Sequence, residues 1–235
     1  NAAGASITAG QDLFLTFEQY VNQGLVTANG DLSLTGTSLT NHAIMASGQT
    51  FTANLSSGIV NNNLLFAGDS MALHGGTSVV NNNGANIFAF NNIVIAANDG
   101  NGHLQSFENI SGNVEAYNGS LSIYANNIEN RMDELAVISH TEDAEPDVDV
   151  TENNTDRVYY NTVITKTYLS EIIAQSPAGQ LLAGDNITLS GGYIDNQQSI
   201  IAAGQNILLN GDALTNQAIE VVGRNEIQSV WTSYS

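Results

Sequence analysis

Leu181-Leu182-Ala183-Gly184-Asp185-Asn186-Ile187-Thr188-Leu189 returns twenty residues later as Ile201-Ala202-Ala203-Gly204-Gln205-Asn206-Ile207-Leu208-Leu209. Each copy is a short apolar run, a turn containing glycine, and then an alternating strand. The same form stands at Ile7-Thr8-Ala9-Gly10-Gln11-Asp12-Leu13-Phe14-Leu15, at Val26-Thr27-Ala28-Asn29-Gly30-Asp31-Leu32-Ser33-Leu34 and at Leu64-Leu65-Phe66-Ala67-Gly68-Asp69-Ser70-Met71-Ala72-Leu73. Repetition at a fixed period marks an array in which each unit buries its apolar face only by stacking on its neighbours.

A second marker shares the period. Asn22, Asn41, Asn61, Asn81, Asn109, Asn130, Asn196 and Asn216 follow one another at 19, 20, 20, 28, 21, 66 and 20 residues. The spacing of 28 is one period plus a short loop around Asn98-Asp99-Gly100-Asn101-Gly102. The spacing of 66 is one period plus an insertion of about 46 residues.

A coil of about 20 residues is too short for a helix pair or a propeller blade. It fits one turn of a β-solenoid, with two or three strands of ~4–5 residues and tight corners between them. The Leu-x-x-Leu-x-Leu-x-x-Asn frame of leucine-rich repeats is absent. The fold class is therefore all-β, a parallel β-helix of about nine coils. Alternate strand residues point inward, so Leu13 and Leu15, Leu32 and Leu34, Ile187 and Leu189, and Leu208 beside Ile207 are expected to fill the interior. Glycine and asparagine at the turns are expected to supply positive φ. The recurring asparagines read as a structural ladder stacked at one corner. The position after the turn glycine carries Gln11, Asp31, Gln49, Asp69, Asp185, Gln205 and Arg224, a solvated corner.

Composition agrees with many short strands. Charged residues are 11% of the chain, against ~25% in an ordinary domain, and Asn, Ser, Thr and Gly favour turns over helix interiors. The net charge of −19 comes from 23 acidic and 4 basic residues. Nucleic acid and anionic membrane surfaces are disfavoured as partners, since both are gripped by Lys and Arg. There are no cysteines, so no disulfide contributes. No apolar run approaches the ~18 residues of a membrane-spanning helix, and membrane insertion is not expected. The chain starts inside a repeat at Asn1-Ala2-Ala3-Gly4 and reads as a segment whose export signal, if it has one, lies outside it.

The period stops between Asn130 and Ser176. Leu135–Thr141 and the longer run Arg157–Leu169 are rich in β-branched and aromatic residues. They are expected to pair as an extrahelical antiparallel β-hairpin projecting from the coils, with Glu142 to Asp156 as its mobile tip. Nine acidic residues and no basic ones lie from Asp133 to Asp156. The division is thus coils over 1–130, an acidic hairpin insertion over 131–175, and coils again over 176–235. The insertion holds Arg131, Arg157 and Lys166 and the tyrosines Tyr159, Tyr160 and Tyr168. Exposed tyrosines favour interfaces. The candidate partner-binding set is Tyr159, Tyr160, Tyr168, Arg157, Lys166, Asp143, Glu145, Asp147 and Asp149. The alternative is that the tyrosines only cover the side of the coils.

On these residues the chain resembles the filamentous-haemagglutinin repeats of large two-partner-secretion exoproteins. The Ile-Thr-Ala-Gly-Gln-Asp-Leu form, the Leu-Leu-Ala-Gly-Asp-Asn-Ile-Thr-Leu return and the period carry the likeness, over Ala5 to Asn130 and Gln180 to about Ile227. An interruption closed by Pro177-Ala178-Gly179 also looks similar to contact-dependent growth inhibition effectors. The resemblance implies a right-handed parallel β-helix, in a secreted chain at the surface of a Gram-negative bacterium. It implies a cognate outer-membrane transporter and, in the effectors, a central region that binds an outer-membrane protein or another receptor on the target cell. The expected role is a non-catalytic shaft and recognition segment. The alternative is a filamentous adhesin segment that binds host surfaces.

An enzyme of the polysaccharide-active β-helix class ranks lower. Arg224 is the only basic residue outside the insertion, so a polyanionic sugar has little to hold it. No carboxylate pair is assignable from spacing. His42, His74, His103 and His140 lack ligand spacing and read as surface residues. Five carboxylates from Asp143 to Glu152 suggest at most loose Ca²⁺ binding, with no EF-hand frame. No catalytic residue, cofactor or metal is expected.

Overall fold

A computed structural model of the chain describes residues 1–143, 147–153, 157–218 and 224–234. Every regular element among them is a β-strand. The first compact unit, Asn1–Asp133 with Ser176–Ala218, is a parallel β-solenoid.

One sheet of this unit stacks eight short strands, one from each described coil: Ser6–Ala9, Leu25–Ala28, Ile44–Ser47, Leu64–Ala67, Asn86–Ala89, Asn113–Ala116, Gln180–Ala183 and Ile200–Ala203. The second sheet takes the rest of each coil, as one long strand such as Leu32–Asn41 or as two short ones such as Ile187–Ser190 and Tyr193–Gln197. Register is in step. Leu13, Leu32, Phe51, Met71, Ile93, Leu121, Ile187 and Ile207 form one interior column. Alanines run down the first sheet beside the Gly turn, as Ala28, Ala67, Ala89, Ala116 and Ala183, with Ser47 among them. A small side chain suits the narrow corner there. Leu32, Leu34, Ile187 and Leu189 are fully buried, as the alternation requires, while Leu13 and Leu15 in the first coil are half-buried. Leu208 departs from expectation: it is in register with outward Thr188 and lies 58% exposed, and the inward positions are Ile207 and Leu209.

The glycine turns work by a different physical route from the one expected. Among the described glycines, positive φ is confined to Gly4, Gly76 and Gly84. The repeat glycines are required by close approach. A Cβ on Gly48 would fall on the carbonyl oxygen of Asn29, one on Gly68 on that of Gly48, and one on Gly204 on that of Gly184. In these coils the turn rests directly on the backbone of the coil before it, whereas Asn29, Phe90 and Tyr117 hold the same register position in others. Gly10, in the first coil, has nothing within 4 Å of that position.

The asparagines form one continuous column. Nδ2 of Asn22 donates to Oδ1 of Asn41 at 2.9 Å, and the same bond runs from Asn41 to Asn61 and from Asn61 to Asn81 at 2.9 Å. It continues through Asn109, Asn130, Asn196 and Asn216 at 2.8 Å each. Asn1 adds a rung that the sequence reading missed, donating to Asn22 at 3.0 Å. Each asparagine lies two residues after an interior apolar residue, so strand parity turns it inward. From Asn22 to Asn130 the ladder is at most 1% exposed. The second amide hydrogen reaches a backbone carbonyl at the corner, as from Asn109 to Gly112 at 2.9 Å. A buried polar side chain is thereby satisfied without water.

The second compact unit is an antiparallel sheet built on Glu134–Gln175 and the strand Arg224–Tyr234. Leu135–Asp143 pairs with Arg157–Gln175, from Leu135 opposite Gln175 to Asp143 opposite Lys166. Three expectations change. Asp147–Asn153 is a strand, paired with the Arg157–Val163 stretch, so much of the proposed tip lies inside the sheet. Its Asp-Val-Asp-Val-Thr alternation is a strand signal that the charge run obscured. Arg224–Tyr234, assigned from sequence to the coils, pairs instead along Val158–Tyr168. It is rich in β-branched and aromatic residues and satisfies an otherwise open strand edge. Arg131 ends a solenoid strand, in register with Ile110 and Gln197, and does not belong to the insertion.

Two substitution pairs test the stacking. Gly68→Ala is expected to cost more than about 2 kcal/mol, while Gly10→Ala at the same repeat position stays within ~0.5 kcal/mol, read by urea unfolding. Asn109→Ala strands its neighbours' amide groups and is expected to cost about 2–3 kcal/mol. Asn216→Ala, at the exposed end of the column, is expected to cost well under 1 kcal/mol in the same assay.

Candidate functional site

The residues singled out from sequence fall into two groups. The asparagines are committed to one another inside the solenoid, as described above. The partner-binding set belongs to the second unit, where the long strand Arg157–Gln175 carries Arg157, Tyr159, Tyr160, Lys166 and Tyr168. Asp143 closes the strand Leu135–Asp143, and Asp147 and Asp149 lie on Asp147–Asn153. Glu145 is outside the described residues.

Backbone register shows what the sheet brings together. Thr151 stands opposite Tyr159, Val150 opposite Tyr160 and Asn153 opposite Arg157. Lys166 faces Asp143 across one edge of its strand and Glu226 across the other. A basic residue between two acidic positions removes like-charge opposition from the middle of the sheet. Lys166 and Tyr168 are two residues apart on one strand and so share a face. Both are half-buried.

The solenoid carries two features that the sequence reading passed over. The first is an aromatic column on the outer face of the eight-stranded sheet. Phe66 and Phe88 stack in adjacent coils with ring centroids 5.6 Å apart and planes 1° from parallel. Tyr117 continues it, 6.3 Å from Phe88 and 5.7 Å from Phe90. The rings stack because the coils do: Phe66 and Phe88 are partners in the strand register.

The second is a shallow groove on the second sheet. Asn54, Ser56, His74, Asn98 and Asp99 line it, with Gly36 at one side. His74 was expected at the surface and is instead 9% exposed. It occupies an outward strand position in register with Asn54, and the loop after Ala96, which interrupts the 20-residue period, stands over it with Asn98 and Asp99. Its Nδ1 lies 2.6 Å from Oδ1 of Asn54. Burial lowers the His74 pKa, opposed by the nearby carboxylate of Asp99, so the neutral ring is favoured. Two other histidines differ: His42 is exposed, and Nε2 of His103 lies 3.4 Å from the Ser190 hydroxyl. Among the described residues no three His, Asp or Glu side chains gather to hold a metal ion.

Comparison with family models, curated proteins and solved structures finds no match to this chain.

The cross-strand arrangement of Lys166 is directly testable. Lys166→Glu places three acidic residues side by side and is expected to weaken the second unit by about 1 kcal/mol. Amide exchange should accelerate several-fold around Thr165–Thr167 and remain unchanged in the solenoid coils.

Proposed function

We propose that this chain is a non-catalytic shaft and recognition segment of a large secreted bacterial exoprotein of the two-partner-secretion type, working at the surface of a Gram-negative cell. In this reading the solenoid is the spacer and the antiparallel sheet is the recognition element. The receptor is an outer-membrane protein or another surface molecule of a target cell, as in contact-dependent growth inhibition effectors.

The observation that carries the reading is the contrast between the two units. The coils repeat one register with one interior, so each added coil extends the stack without altering it. The insertion departs from that economy. It adds a folded sheet with aromatic and charged positions, at a place where the 20-residue period needs nothing. A solenoid tolerates an insertion at a corner because the flanking strands still stack: Asn113–Ala116 pairs directly with Gln180–Ala183 across it. An extra element kept under those conditions is free to serve recognition, and tyrosine-rich strands suit that work. The net charge of −19 favours a receptor surface with basic character.

The test is binding of the fluorescently labelled chain to intact Gram-negative cells. A variant ending at Ala218 and lacking Glu134–Gln175 is compared alongside. Saturable binding by the full chain, lost in the variant, is the expected result. Equal binding by both would move recognition to the solenoid, and binding by neither would reduce the chain to spacer.

A further inference from the structure

The groove around His74 has a chemistry that the spacer role does not use. His74 ends the strand Met71–His74, whose Met71 and Leu73 point into the core. His74 itself is on the outer side and would ordinarily be solvated. The loop beyond Ala96 changes that. Gly75 and Gly76 donate their amides to the carbonyls of Ala96 and Ala97 at 3.0 and 3.1 Å, and the Ala97 amide donates to the Gly102 carbonyl at 2.7 Å. Oδ1 of Asn98 accepts the amides of Gly100 and Gly102 at 3.0 and 3.1 Å. The loop is thus internally tied and anchored to the His74 turn, with Asp99 on the groove.

The protonation pattern of the ring follows from its partner. An amide carbonyl oxygen only accepts, so at 2.6 Å from Oδ1 of Asn54 the Nδ1 of His74 carries the hydrogen and donates it. That leaves Nε2 as the lone-pair nitrogen, with no hydrogen-bond partner among the described residues. A ring nine-tenths buried, locked in one tautomer by a carbonyl and offering an unpaired Nε2 to a groove beside a carboxylate, has the second-shell arrangement that orients metal-ligating histidines. A surface histidine needs none of this.

We propose that this groove binds one divalent transition-metal ion, with Nε2 of His74 and the carboxylate of Asp99 as its protein ligands and water in the remaining positions. Mixed imidazole and carboxylate ligation suits Zn²⁺, Ni²⁺ or Cu²⁺, whereas Ca²⁺ and Mg²⁺ prefer all-oxygen sites. Two protein ligands make an exchangeable site, unlike the closed four-ligand sites that build small folds. The solenoid does not depend on the ion, because the columns of Asn54 and His74 are already set by strand register. Occupancy would pin the Asn98–Gly102 loop to the strand beneath it.

The experiment is a titration of the full chain, ¹⁵N-labelled, with Zn²⁺, following the histidine ring nitrogens by long-range ¹H–¹⁵N spectra. A saturable 1:1 shift of His74 Nε2, with no response to Ca²⁺ or Mg²⁺, is expected. Asp99→Asn, on an exposed loop that leaves the core untouched, and Asn54→Ala should each weaken Zn²⁺ at least about tenfold. His74→Asn should abolish the site. The proposal is overturned if Zn²⁺ perturbs the other histidines while His74 stays still, or if Asp99→Asn binds as the parent does. It is equally overturned if Ca²⁺ shifts the loop amides and His74→Asn leaves that shift intact, which would mark an oxygen-only loop site.

Discussion

Where the repeat glycines Gly48, Gly68, Gly184 and Gly204 stand, one coil lies against a backbone carbonyl of the coil before it, a contact too short for a side chain, with no room for a Cβ. On the second sheet, the asparagine column fixes the same spacing from inside. These constraints act at both ends of the coil cross-section, and the apolar columns fill what lies between. The amides of the column donate in one direction, from each asparagine to the next, so their dipoles align and reinforce one another. A missing rung therefore leaves a donor and an acceptor unpaired in a place that water does not reach.

This stacking also explains how the chain accepts interruptions. A coil is defined by its inward residues and its corner, and the length of the outward excursion is free. The loop after Ala96 adds a few residues and covers His74. The insertion after Asp133 adds a separate sheet, and the asparagine ladder passes it from Asn130 to Asn196 at 2.8 Å, as it does between consecutive coils. Elements that bring polar and titratable groups to the surface in specific arrangements are these departures from the period. The regular coils offer mainly Thr, Ser and Asn outside and aliphatic residues inside.

Much of the solenoid was legible in the sequence because its rules are local and repeated. Period-2 alternation told Leu32 and Leu34 from Ser33, and the 20-residue return of Asn-rich corners gave the coil. Asn1 stands 21 residues before Asn22 and was open to the same reading. What misled was chemistry considered without parity. Leu208 is apolar but outward, because register with Thr188 decides its face. The Asp147–Asn153 stretch was read by its charge, though its alternation was that of a strand.

The sequence by itself determined the repeat, the coil length, the interior columns and the asparagine ladder, since each depends only on spacing and on which residue types bury well. Only the tertiary structure decided the rest. It assigned the turn glycines to coil-on-coil contact instead of positive φ, because a steric neighbour twenty residues away has no trace in the local pattern. It paired Arg224–Tyr234 with the inserted sheet, because an open strand edge competes with the next coil for the same β-forming residues. It enclosed His74 and left Nε2 free, because the covering loop and the Asn54 carbonyl come from neighbouring coils that meet only when the chain has wound.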